Sequence, residues 1–137
     1  MPRKIVGIGG YLPLLRAERK AIAREMAWSG LGMPRSGRRA VAGWDEDPVT
    51  MATEAVRGMA GEAPRALRFA STSAYFTDRL QAGVILDALA LPRSVRTADC
   101  ANSRRAGTGD LAHALLSADA QIVVAAEKRE NTAATAA

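Results

Sequence analysis

Cys100 is the only cysteine of the 137-residue chain, and it lies in a stretch where apolar spacing changes period. Residues 94–99 alternate in the manner of a short strand, and from Asn102 onward Ala106, Leu111, Ala112, Leu115 and Leu116 recur at helical spacing. That pattern predicts a strand turning into a helix, with Cys100 at the helix N-terminus. The free N–H groups and positive dipole end of a helix favour the thiolate, the nucleophilic form of the side chain. Arg104 and Arg105, in the predicted first turn, would add positive charge. The competing reading is a small buried hydrophobe, the commoner fate of a lone cysteine in an alanine-rich chain. A cysteine nucleophile also needs a base, and the single histidine, His113, stands thirteen residues along, roughly 20 Å away on a continuous helix. The two cannot touch. Either Cys100 is inert or its partners come from another segment.

Few other residues are spaced for chemistry. Asp45, Glu46 and Asp47 could do acid–base work or hold a metal, but Asp47 followed by Pro48 is better read as an N-cap with proline at the first helical position. One histidine and one cysteine make no metal constellation, so no metal is expected. The glycines of residues 7–10 suggest a dinucleotide fingerprint, yet Leu12 occupies the third glycine position and Pro13 follows, so the match fails.

The elements that must position these residues alternate. Residues 4–11 read as a buried strand leaving through a glycine turn, residues 16–27 as a charged helix, residues 28–37 as a Gly/Pro loop and residues 38–42 as a short extended piece. A helix follows Asp47. Residues 66–71 form a second buried strand. Residues 78–89 form a helix with Leu80, Val84 and Leu91 facing inward and Pro92 as its stop, and residues 120–126 form the clearest strand. Such alternation predicts an α/β fold of βαβ units, a mostly parallel sheet covered by helices.

Composition narrows the partners. Hydrophobic residues make up 48% of the chain and aromatics only 4%, so the core is built from Ala, Val, Leu and Ile in closely packed layers. The formal net charge is +5, and sixteen of the nineteen basic residues are arginine, which suits phosphate groups. The arginines are dispersed and do not form one stripe, which favours a phosphate-bearing small molecule over an Arg-rich nucleic-acid-binding domain. No apolar run reaches the ~20 residues of a membrane span, and no leader-like segment is present. The expectation is a cytoplasmic protein with no membrane partner.

Three blocks then combine. Residues 5–13 (Ile-Val-Gly-Ile-Gly-Gly-Tyr-Leu-Pro), 39–55 (Arg-Ala-Val-Ala-Gly-Trp-Asp-Glu-Asp-Pro-Val-Thr-Met-Ala-Thr-Glu-Ala) and 97–108 (Thr-Ala-Asp-Cys-Ala-Asn-Ser-Arg-Arg-Ala-Gly-Thr) stand in an order and spacing that resembles the N-terminal part of thiolase-superfamily proteins, above all the hydroxymethylglutaryl-CoA synthases and the ketoacyl-acyl-carrier-protein synthase III group. The resemblance implies a layered, incomplete thiolase fold over residues 1–137. It implies that Cys100 accepts an acyl group from a CoA thioester, for Claisen-type condensation, with the oxyanion held partly by backbone N–H groups at the cysteine turn. It also implies that Arg38 and Arg39 meet the CoA phosphates and adenine. CoA thioester is then a substrate, and no permanently bound cofactor is expected.

The chain departs from that family at three places. Thr72 stands where the hydroxymethylglutaryl-CoA synthases carry an acid–base glutamate. Asn102-Ser-Arg-Arg105 replaces a Gly-Gly pair, and the family's catalytic His and its Asn or second His belong to a C-terminal half. Activity is therefore expected only with that half or a partner subunit. Exposed sheet edges and an uncovered apolar face should drive homo- or hetero-oligomerisation. The alternative is a noncatalytic scaffold subunit of an acyltransferase complex.

Overall fold

Leu67, Phe69 and Ser71 alternate with Arg68 and Ala70 along the strand Ala66–Ser71, and this alternation sorts the rest of the larger unit into two faces. A computed structural model of the chain describes residues 4–30, 32, 36–59, 63–101 and 103–128. Its described residues fall into two units, residues 4–11 with Asp47–Glu127 and Leu12–Glu46 with Lys128.

The smaller unit holds strand β1 (Leu15–Glu18), helix α1 (Arg19–Glu25), a 3-10 turn (Ala27–Ser29) and strand β2 (Arg38–Val41). β1 and β2 pair antiparallel with Glu18 opposite Arg38 and Ala17 opposite Arg39. The extended piece expected at residues 38–42 is β2. The helix expected over residues 16–27 is shorter, because Leu15–Glu18 finds a ladder partner in β2 and only the residues after it coil. Of the expected loop over residues 28–37, positions 31 and 33–35 lie outside the described residues.

The larger unit holds helix α2 (Pro48–Arg57), strand β3 (Ala66–Ser71), helix α3 (Gln81–Ala88), strand β4 (Arg96–Ala101), helix α4 (Ala106–Leu116) and strand β5 (Gln121–Ala125). The three strands form a parallel sheet in the order β4-β3-β5. Asp47 caps α2 as predicted: its carboxylate accepts from the Val49 and Thr50 N–H groups at 2.7 and 2.8 Å, and the Thr50 hydroxyl accepts from the Asp47 N–H.

Register places Leu67, Phe69, Ile122 and Val124 on one face of the sheet, where they pack with Val49, Ala52 and Val56 of α2 and Ala82, Ile85 and Leu86 of α3. This face is the apolar core. The other face carries Arg68, Ala70, Ala98, Cys100, Val123 and Ala125 and is covered by α4. Gly107 of α4 lies so close that a Cβ there would stand 3.2 Å from the Ala125 Cβ and 3.9 Å from the Ala70 Cβ. Small residues on both sides let the helix approach.

Two further expectations are corrected. Residues 4–11 form no strand: they run as irregular chain with Ile5, Val6 and Ile8 exposed, and Gly9 passes so near the Ala55 carbonyl of α2 that a Cβ would collide with it. Apolar content alone makes no strand where no ladder partner is offered among the described residues. α3 begins at Gln81, three residues later than expected, and Leu80 is exposed while Val84 and Leu91 do pack on the core. On α4 the buried residues are Ala106 and Asp110, whereas Leu111, Leu115 and Leu116 are exposed.

Candidate functional site

Cys100 is half-buried near the carboxyl end of β4, opposite Ala70 of β3, which in turn stands opposite Ala125 of β5. The three share a row and a face, so the thiol stands among alanines on the side that α4 covers. The cysteine is not at a helix N-terminus. β3 continues to Ser71 and keeps β4 extended through Ala101, and the chain then turns at Ser103, whose hydroxyl accepts from the Arg105 N–H at 3.1 Å. α4 starts only at Ala106 with Arg105 as its N-cap. Its free N–H groups therefore belong to residues beyond Cys100, and Arg104 and Arg105 are exposed residues before the helix. Asn102 lies outside the described residues.

Asp99, next to the thiol, points to the opposite face. Its carboxylate accepts from the Gln81 and Ala82 N–H groups at 2.7 and 2.8 Å and so caps α3 from another strand. Leu80, the residue at the N-cap position, has no side chain able to do this. The Gln81 side chain, buried, accepts from the Tyr75 N–H at 3.0 Å and ties the loop after β3 to the same point. The strand bearing Cys100 is thereby fixed to α3 and to the loop after β3.

Beneath α4, a half-buried Arg68 and a buried Asp110 form an ion pair, with Nε and Nη2 at 2.8 and 2.6 Å from one carboxylate oxygen. At the carboxyl edge, the Glu127 carboxylate accepts from the Thr72 N–H at 2.7 Å, from the Thr72 hydroxyl at 2.9 Å and from the Ser73 hydroxyl at 2.9 Å. Sequence reading missed all three carboxylates. The signal for Asp99 was present: a helix start without its own cap, and an aspartate alternating with the cysteine in a strand.

Arg38 and Arg39 stand side by side on β2 of the smaller unit, and Cys100 belongs to the larger one. Arg38 Nε donates to the Glu18 carboxylate across the strand pair at 2.7 Å; this hydrogen bond, and the charge behind it, raise the Arg38 pKa. Such a shift holds a stabilising charge that is lost only as pH rises beyond the ordinary arginine range, so the arginine adds no pH dependence near neutrality. His113 is exposed on α4. Among the described residues no group of three His, Cys, Asp or Glu side chains could hold a metal ion, and no helix is long and apolar enough to cross a membrane.

No family model matches the chain. It is 34% identical over 117 residues to a hydroxymethylglutaryl-CoA synthase of Thermococcus gammatolerans, a match covering 81% of this chain and 33% of that protein. A span of that size contains residues 38, 39 and 100 wherever it starts. The chain thus spans about a third of the length of the curated relatives it matches. Among solved structures it is similar to MvaS in complex with 3-hydroxy-3-methylglutaryl coenzyme A, with a TM-score of 0.63, 25% identity and coverage of 80% of this chain and 29% of the other. It is also similar in fold to PksG, an HMG-CoA synthase from "Bacillus subtilus", with a TM-score of 0.74, 19% identity and coverage of 95% and 37%. A parallel sheet with Cys100 at its carboxyl edge and small residues beneath α4 accompanies these likenesses: the chain has a thiolase-like α/β fold and is similar in sequence, over a third of their length, to the hydroxymethylglutaryl-CoA synthases.

Proposed function

We propose that this chain is the cysteine-bearing part, residues 1–137, of a Claisen-type condensing enzyme that takes its acyl group from a CoA thioester. Cys100 Sγ attacks the thioester carbonyl, the tetrahedral oxyanion collapses, and the CoA thiolate leaves. Backbone N–H groups of the turn after Cys100 are the candidate oxyanion donors. A second thioester substrate then receives the acyl group through a new carbon–carbon bond. The observation that carries this reading is the 34% identity to a hydroxymethylglutaryl-CoA synthase over a span that includes the cysteine.

Arg38 and Arg39 are assigned to the phosphates of CoA. Both are arginine, whose fork suits phosphate, and they are neighbours on one short strand. The remaining two thirds of a relative's length has no counterpart in this chain. The reading therefore includes a companion, whether more of the same polypeptide or another subunit, that completes the site. The exposed Leu111, Leu115 and Leu116 of α4 support such an association.

Protection is the test. Acetyl-CoA should slow iodoacetamide alkylation of Cys100 in the protein purified with its companions, and Arg38→Ala/Arg39→Ala should weaken that protection about tenfold or more, as expected for lost charge-assisted bonds to phosphate. A second reading, a noncatalytic scaffold subunit, is favoured by one observation: Cys100 stands six residues before the first residue of α4 and not at its start. It predicts alkylation that acetyl-CoA leaves unchanged.

A further inference from the structure

We propose that Arg38 and Arg39 are unequal: Arg39 makes the main contact with the CoA phosphates, and Glu18 restrains Arg38 on the opposite face of the strand pair. This rests on the CoA assignment above and names the side chain that carries most of it.

Successive residues of a strand point to opposite faces, so two neighbours in sequence do not present their side chains to a ligand on the same side. The β1–β2 register sets Leu15 opposite Val41, Ala17 opposite Arg39 and Glu18 opposite Arg38. One face of the pair therefore carries Arg16, Glu18, Arg38 and Ala40. The other carries Leu15, Ala17, Arg39 and Val41.

On the first face both cations already have partners. Arg16 Nη1 donates to the Pro13 carbonyl and, at 2.9 Å, to the Leu15 carbonyl, and Arg38 Nε donates to the Glu18 carboxylate at 2.7 Å. A phosphate brought to Arg38 meets the Glu18 carboxylate on the same guanidinium, and the two like charges repel. Arg38 is a poor anion site while Glu18 holds it.

The second face differs. Arg39 is the one charged side chain that the two strands place there, it is half-buried, and its guanidinium has no ion pair or hydrogen bond among the described residues. A guanidinium that has lost part of its water without gaining an anion favours an anionic ligand, and its fork matches phosphate. Leu15 and Val41, paired beside it on the same face, are both exposed. CoA joins its phosphates to a largely uncharged pantetheine arm, which suits a lone cation next to two apolar side chains.

Calorimetric titration with CoA, on the protein purified with its companions, tests the ranking. Arg39→Ala should weaken binding about tenfold or more, and Arg39→Lys, which keeps the charge and loses the fork, should fall between it and the native protein. Arg38→Ala should cost about threefold or less. Glu18→Gln should tighten binding about twofold or more, because it removes the carboxylate that opposes phosphate at Arg38. A loss in Arg38→Ala equal to or larger than that in Arg39→Ala overturns the proposal, as does a Glu18→Gln protein that binds no more tightly than the native one. Neither result depends on how well the Arg39 variants fold. Absence of CoA binding by the native protein overturns the CoA assignment itself.

Discussion

Asp110 offers one carboxylate oxygen to Arg68 and keeps the other buried without a hydrogen-bond partner among the described residues. Such a pair is held by geometry more than by net energy, because desolvation offsets much of the attraction. Breaking it is another matter. Arg68→Met leaves the Asp110 carboxylate buried and uncompensated and should cost about 3–5 kcal/mol, whereas Arg68→Met with Asp110→Leu should recover most of that loss. Chemical denaturation of the two variants checks this; equal losses in both would mean that the ion pair itself stabilises the fold. The pair was not legible in the sequence. Arg68 sits inside an apolar strand and Asp110 42 residues later, and only the β3–α4 contact brings them together. Cys100 was legible as a residue at the end of a strand, but its place relative to the helix was not. The length of β4 is set by its neighbour β3 and not by the local sequence.

Elements were most legible where local chemistry sets them. Asp47-Pro48 fixes the start of α2 through a cap and a proline, both read from sequence, and β3 has the bounds its apolar run predicts. α3 was misread at its start because its cap is Asp99, a residue 18 positions away from Gln81. Its end holds a second local surprise. Ala90 adopts a left-handed conformation, φ 52°, with its N–H on the Asp87 carbonyl and the Leu91 N–H on the Leu86 carbonyl. This is the paired helix-ending pattern that glycine normally serves. Removing the Cβ relieves left-handed strain of about 1–2 kcal/mol, partly offset by the greater freedom of glycine when unfolded. Ala90→Gly should therefore stabilise the protein by about 0.5–1 kcal/mol, raising its denaturation midpoint. A lower midpoint would show that the strain is absent.

Across the whole molecule, α4 turns one face to the candidate chemistry and the other to solvent. Its inner face, with Ala106, Gly107 and Asp110, is small and polar enough to lie close on the alanine-rich side of the sheet. Its outer face keeps Leu111, Leu115 and Leu116 exposed. Helical periodicity grouped those leucines, but it cannot tell which side of a helix meets the sheet when the sheet itself carries small residues. The same uncovered apolar surface accords with a chain that spans a third of its relatives' length. The most direct measurement is the mass of the Cys100 peptide after acetyl-CoA is added to the folded protein with its companions. The account predicts one acetyl group on Cys100, released by hydroxylamine and absent in Cys100→Ser. An unmodified Cys100 under those conditions would contradict it.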